Sequence, residues 1–345
     1  MEMHRWAPIC ERPSGLVQPV RVDRAGEGGL TRSGAAGTNW HRCAPGLYVP
    51  RDRPDCVEQR ILEQAGRLPE GAGVTAWAAL RWRGANFFDG LTDGGTTRLP
   101  VPLVLGGAGA NLRSHPACQL TKTQFAPSER EVVAGLPLAT VQRALFDEVV
   151  RRGSLWPAVQ AIEMAAAAQL ISVCLFAVYV RHRGPWTGVP LARTAVLLAT
   201  NDSRSPPETW LRLVWELVAR LPRPVCNRPV YDLDGRLLGI PDLFDPVAGL
   251  VGEYDGADNL EHERHRADVS REELFRDHGL EYVEVVRGDS RDRAAQRMLS
   301  ARARAKFLPP ESRAWTLQPP RWSPAPESLD DFFIRHNLVD HLTHR

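Results

Sequence analysis

The chain has 345 residues, 43% hydrophobic and 24% charged, the balance of an ordinary globular protein with enough apolar material for a buried core. Lys+Arg 43 against Asp+Glu 41 leave a net charge of only +2. Bulk charge therefore gives no argument for nucleic acid, and any polyanion site has to be a local basic patch.

At ~100–200 residues per domain the length allows two or three domains. Lys122 and Lys306 are the only lysines, an arginine bias better explained by a GC-rich genome than by phosphate recognition. The six cysteines (Cys10, Cys43, Cys56, Cys118, Cys174, Cys226) form no CxxC pair, which argues against structural zinc and a disulfide framework and fits a reducing cytosol. Met1–Arg21 lacks the apolar core of a signal peptide, and the most apolar window, near Ile162–Val180, is interrupted by Glu163, Gln169 and Ser172. The expectation is a cytoplasmic protein with no membrane partner.

Residues 1–40 are rich in Pro, Gly and Arg and predict an irregular N-terminus. Trp40–Pro50 (WHRCAPGLYVP) reads as a hairpin with a Pro45-Gly46 turn. This ribbon is similar to the wing of the winged-helix module in abortive-infection (type IV) antitoxins and their actinobacterial relatives. The Pro/Gly-rich segment before it offers no recognition helix, so the hairpin reads as degenerate and kept for packing.

Residues 57–68 place Ile61, Leu62, Ala65 and Leu68 on one helical face, and Thr75 caps a short helix that Gly84 stops. Leu99–Leu105 predicts a buried strand, and Gly106–Asn111 (GGAGAN) lacks GxGxxG spacing and reads as a plain turn. Four helices follow, over Thr140–Arg152, Ser154–Leu170, Val173–Arg183 and Leu191–Thr200, with no catalytic pattern among them. Polar Asn201–Pro207 marks a domain boundary.

From Ser205 the signals sharpen. Ser205-Pro206-Pro207-Glu208 is a capping box that opens a helix to about Arg220. Strands are predicted over Asn227–Leu233, Arg236–Phe244 and Ala248–Tyr254, the first two joined by an Asp234-Gly235 turn. A charged helix from Leu260 to His278 ends at Gly279, and Leu280–Val286 predicts a fourth strand. Of the four carboxylates in the stretch Gly239–Gly256, three, Asp242, Glu253 and Asp255, read as lying on neighbouring strand ends. Like charges on buried strands repel and desolvate badly, and a divalent cation is the usual compensation.

The order of one helix, three strands, a helix and a strand, with Glu208 and Arg212, Pro241-Asp242, Glu253-Tyr254-Asp255-Gly256 and the Arg266, Asp268, Arg271 helix, resembles the PD-(D/E)xK restriction-endonuclease-like superfamily. The closer likeness is to its very-short-patch-repair-endonuclease-like branch, which supplies C-terminal domains of actinobacterial proteins. The resemblance implies an α/β chain, α+β overall: a restriction-endonuclease-like αβββαβ core preceded by a mostly helical region and the degenerate winged-helix-like hairpin. Its segments are residues 1–56 (irregular, with the hairpin), 57–200 (mixed, mostly helical, antitoxin-like), 201–307 (endonuclease-like) and 308–345 (a Pro-rich tail, loosely wrapped or disordered).

It also implies a function, phosphodiester hydrolysis in DNA by an endonuclease or nickase that uses Mg²⁺ or Mn²⁺. Asp242 and Glu253 are the implied metal ligands; Glu208, Asp255 and His262 complete the implied catalytic set, and Arg212, Arg266 and Arg271 the phosphate-binding set. Glu208 is also explained by capping alone, Asp242 and Asp255 as turn residues, and Arg266, Arg271 and Asp268 as ion pairs on a solvated helix face. Asp255 stands where the superfamily usually has lysine. Asn259 stands where relatives carry a histidine, and asparagine transfers no proton near neutral pH; His262 or His265 is the replacement within reach. His262 and His265 are three residues apart, which excludes a zinc-protease HExxH reading. The alternative is a catalytically silent nuclease fold acting as a DNA-binding, antitoxin-like regulator with DNA and a cognate toxin as partners.

Overall fold

A computed structural model of the chain describes residues 7–25, 27–92, 95–107, 112–256, 271–323 and 327–339. The protein is a mixed α/β chain, α+β overall, that divides into two compact units, Met1–Ala199 with Phe333–Arg345 and Thr200–Phe332.

The first unit opens with β1 (Val20–Arg21), α1 (Arg32–Ala36), β2 (Trp40–Ala44) and β3 (Leu47–Pro50). The expected hairpin is β2–β3, and β1 adds to its β3 side. Its inward residues Cys43, Ala44, Leu47 and Val49 form a small core of their own. Among the described residues the only helix before it, α1, has five residues and buries none of them, so the hairpin is packed as part of a sheet.

Next come α2 (Val57–Ala65), β4 (Gly73–Val74), α3 (Ala76–Trp82), β5 (Val101–Val104), β6 (Cys118–Thr121), β7 (Arg130–Val133) and β8 (Leu136–Ala139). The strands form one sheet in the order β6-β5-β4-β8-β7. Four helices complete the unit: α4 (Val141–Arg152), α5 (Leu155–Ala167), α6 (Val173–Arg181) and α7 (Val189–Leu198). Their ends follow local chemistry: Gly153 closes α4 in the left-handed region at φ +69°, and the Ser172 hydroxyl accepts the Leu175 N–H at the start of α6. The segment expected to be mostly helical therefore holds a five-stranded sheet as well.

Buried in this unit is Arg143, 0% exposed. It pairs with Glu129 at 2.7 Å and Asp147 at 3.0 Å, and it donates to the Gln124 carbonyl and the Thr123 hydroxyl. Tyr179 and Arg183 also donate to Glu129. Burial pushes the Glu129 carboxyl up, but Arg143 and Arg183 together hold it below its ordinary range.

The second unit begins with α8 (Pro206–Leu213), continued by a π-helical turn over Val214–Val218. The strands β9 (Val225–Cys226), β10 (Val230–Asp232), β11 (Leu237–Gly239), β12 (Leu243–Asp245) and β13 (Leu250–Asp255) follow. Then come helical residues 271–277 (α9), β14 (Glu281–Val286), α10 (Arg291–Arg304), β15 (Trp315–Thr316) and α11 (Leu329–Arg335), which from Phe333 on belongs to the first unit.

The main sheet has the order β14-β13-β12-β9, with β9, β12 and β13 antiparallel and β14 parallel to β13. The β10–β11 hairpin forms a separate sheet with β15. Two expectations are corrected here. Arg236–Phe244 is not one strand: the chain leaves the β10–β11 sheet at Ile240-Pro241, where proline has no N–H for a ladder, and enters the main sheet at Leu243. The Pro-rich tail is not loose throughout, because β15 pairs with β10 and Trp315, 5% exposed, fills the core against Phe244 at 5.0 Å. Among the described residues no helix is long and apolar enough to cross a membrane. All six cysteines are free thiols.

Candidate functional site

The site is built by the β12–β13 hairpin. Its turn is ordered by Asp245, whose carboxylate accepts the N–H groups of Val247 and Ala248 at 2.9 and 3.1 Å, while Gly249 takes φ +69°. The turn sets the register: Asp245 faces Leu250, Phe244 faces Val251 and Leu243 faces Gly252. One residue further along, this register puts Asp242 opposite Glu253, and opposed residues in an antiparallel pair share a face. The Tyr254 N–H donates to the Asp242 carboxylate at 2.9 Å, which ties the start of β12 to the end of β13.

The alternation of strands then sorts the side chains. Phe244, Val251 and Tyr282 lie on the acid-bearing face and pack with Phe275, Val230, Leu238, Leu280 and Trp315. Beyond this apolar floor the same face continues as Asp242, Glu253, Asp255 and Glu284, the last being the β14 register partner of Glu253. The opposite face is closed off. A side-chain carbon on Gly252 would meet the Trp215 ring at 3.3 Å, and the Trp215 indole donates to the Pro222 carbonyl at 2.8 Å.

Glu253 is 8% exposed. The Arg271 guanidinium lies 3.8 Å from its carboxylate, an ion pair longer than a direct hydrogen bond. Arg271 reaches it from α9, where Phe275, one turn later, anchors the same helical face in the apolar floor. The Tyr282 phenol, stacked on Phe275 at 6.4 Å, is raised above its ordinary range by burial and by the Glu253 carboxylate. Asp255 ends β13 half-buried, its backbone carbonyl accepting the Arg287 N–H at 3.0 Å.

Two expected members are used elsewhere. The Glu208 carboxylate accepts the Ser205 hydroxyl at 2.9 Å, the Arg204 N–H at 2.8 Å and the Asn227 amide at 2.7 Å. It caps α8 and, through Asn227, whose N–H donates to the Pro241 and Asp242 carbonyls, straps that helix to the strand entering the site. Arg212 is not a surface phosphate binder: its side chain is 1% exposed and pairs with Glu216 at 2.6 Å. It lies one turn of helix after the half-buried Glu208, on the buried side of α8. His262 and Arg266, with Asn259, His265 and Asp268, lie outside the described residues.

No family model, curated protein or solved structure matches the chain.

Sequence reasoning overlooked Asn227 and Tyr282. Asn227 has φ +51°, a backbone state that asparagine tolerates better than most residues, but nothing local ties its amide to Glu208. Tyr282 alternates with Glu284 along its strand, a legible signal for a shared face, yet only the β13–β14 register brings it to Glu253. Among the described residues no group of three or more His, Cys, Asp or Glu has metal-holding geometry. What the site offers is two opposed carboxylates: hard oxygen donors of the kind Mg²⁺ takes one or two at a time while keeping its waters, and not the closed cage of a structural zinc.

Proposed function

We propose that residues 201–307 form a PD-(D/E)xK restriction-endonuclease-like domain that hydrolyses phosphodiester bonds in DNA, with Asp242 and Glu253 holding a Mg²⁺ or Mn²⁺ ion. The observation that carries this reading is the register that sets Asp242 opposite Glu253 at the open end of the β12–β13 hairpin. Further support comes from the sheet: three antiparallel strands after a helix, then a strand parallel to the third. When bound, the cation supplies charge neutralisation at the phosphodiester. The chain's own residues do the rest. The Tyr254 N–H fixes the orientation of Asp242, Arg271 steadies Glu253 and stands ready to pair with a phosphate oxygen, and the Trp215-packed back of the sheet keeps both strands rigid. Glu208 serves this site through Asn227 as a positioning residue.

The test is nicking or linearisation of supercoiled plasmid by the purified chain with Mg²⁺ or Mn²⁺. The expected result is cleavage that falls roughly a hundredfold or more in the double variant Asp242→Asn with Glu253→Gln; undiminished cleavage in that variant would rule the assignment out.

The second reading is a silent nuclease fold that binds DNA as an antitoxin-like regulator. Arg271 favours it, because its guanidinium already gives Glu253 the positive charge that a cation would otherwise bring. Under this reading the wild-type chain binds duplex DNA with strong salt dependence and leaves plasmid intact.

A further inference from the structure

The outer edge of the main sheet carries a feature that the acids do not explain. Strand β14 is the edge strand, and between it and α10 runs a groove of about 610 Å³. One stripe of α10 lines it: Arg293, Gln296, Arg297, Ser300 and Arg304. The neighbouring stripe of Ala294, Met298 and Ala301 is buried against the fold, which fixes the lining stripe at the groove. From Arg293 to Arg304 the stripe runs about 16 Å at ~1.5 Å per residue. That matches roughly five nucleotide steps of one strand at ~3.4 Å each.

The charge here departs from the rest of the molecule. Residues 287–306 hold seven cationic side chains against two acidic ones, a net +5 in a chain whose total is +2. The three groove arginines are 69%, 40% and 57% exposed. Two carboxylates serve them: Asp289 is shared by Arg293 at 3.2 Å and Arg297 at 3.3 Å, and Glu281 takes Arg304 at 2.7 Å. A guanidinium carries five N–H donors and a carboxylate engages at most two of them, so donors remain for a ligand. Arg297 also donates to the Glu284 backbone carbonyl at 3.4 Å, which occupies the edge that an added β-strand would need. Glu284 and Asp292 share the lining, so the field attracts at discrete points and does not suit a flat anionic membrane.

We infer that this groove is a phosphate-backbone track for nucleic acid, with Arg293, Arg297 and Arg304 as its phosphate contacts. The inference shares the DNA partner of the function proposed above, and it does not depend on Asp242 or Glu253. Glu284, in its lining, is the β14 register partner of Glu253.

Binding of a labelled 20-base-pair duplex, followed by fluorescence anisotropy in EDTA across a salt series, tests it with the full chain. The variant R293Q/R297Q/R304Q is expected to bind roughly tenfold or more weakly at low salt, with a log–log salt slope smaller by about 2 to 3. Arg98→Gln, at an exposed arginine of the first unit, is expected to bind like wild type. Phenylglyoxal modification of the wild-type protein, read by mass spectrometry, needs no variant: duplex is expected to protect all three arginines. Unchanged affinity and slope in a folded triple variant, or no protection, overturns the track. Displacement of the duplex by polyglutamate as effective as by unlabelled DNA overturns the nucleic-acid assignment. Loss of plasmid cleavage as a wild-type property removes the nuclease reading alone and leaves these binding results standing.

Discussion

Tyr282 is the residue at which the candidate site becomes measurable without a ligand. Burial and the Glu253 carboxylate both disfavour its phenolate, with Arg271 opposing them. The folded chain therefore keeps this proton after the unfolded chain, near the ordinary tyrosine value of about 10, has released it. Above that pH the native state binds more protons than the unfolded state, so stability falls as pH rises, by up to about 1.4 kcal/mol per pH unit for this one group. Urea unfolding of the second unit between pH 9 and 11 should show that decline. Tyr282→Phe keeps the stacking on Phe275 and should flatten it; an equally steep decline in the variant would place the cause elsewhere. At this scale the sequence was legible where a side chain contradicts its surroundings. Glu253 ends an apolar strand, and that conflict marked it. Arg212 was misread because the burial of its side of the helix depends on elements far away in the chain, which local sequence does not show.

Gly239 shows how tightly one element constrains another. A side-chain carbon there would come within 2.6 Å of the Phe275 ring. Gly239→Ala is accordingly expected to cost about 1–3 kcal/mol through overpacking, read as a lower urea midpoint, and to disturb Arg271 by displacing the ring that anchors its helix. A stability within 0.5 kcal/mol of wild type, on the order of a neutral surface change, would mean that α9 yields easily. Helices were the legible elements, because caps and closing glycines are local: Thr75, Gly153, Ser172 and Ser205 all sit at helix ends in the structure. Strands were less so. β4 and β15 have two residues each, too few to show a period, and the split of Arg236–Phe244 between two sheets depends on partners far away in the chain. The acids were legible as a pattern, but their opposition across β12 and β13 needed the register.

On the scale of the whole molecule, each unit has a core of its own and each carries a distinct electrostatic arrangement. In the first, Arg143 neutralises Glu129 and Asp147 in the interior. Replacing it with an apolar side chain leaves two buried carboxylates without their common partner, and Arg143→Met is expected to cost about 3–5 kcal/mol. In differential scanning calorimetry the loss should fall on the transition that reports the first unit, leaving the Tyr282-dependent alkaline behaviour of the second unchanged. A uniform shift of all melting would instead indicate one cooperative block. The second unit, Thr200–Phe332, is net acidic, with 19 Lys+Arg against 24 Asp+Glu, and residues 287–306 stand out from it as a basic segment that the chain's net charge near zero had concealed.

The pairing of β15 with β10 also has a consequence for how the second unit comes into being on the ribosome. Translation delivers the main sheet through Val286 well before Trp315, yet Trp315 belongs to the same apolar cluster as Phe244 and Val251. Until that indole emerges, the nascent sheet has an open seam on the face that bears the acids. The site's floor is thus sealed by one of the last parts of the unit to be synthesised, and Trp315 follows Asp242 by 73 residues and Glu253 by 62.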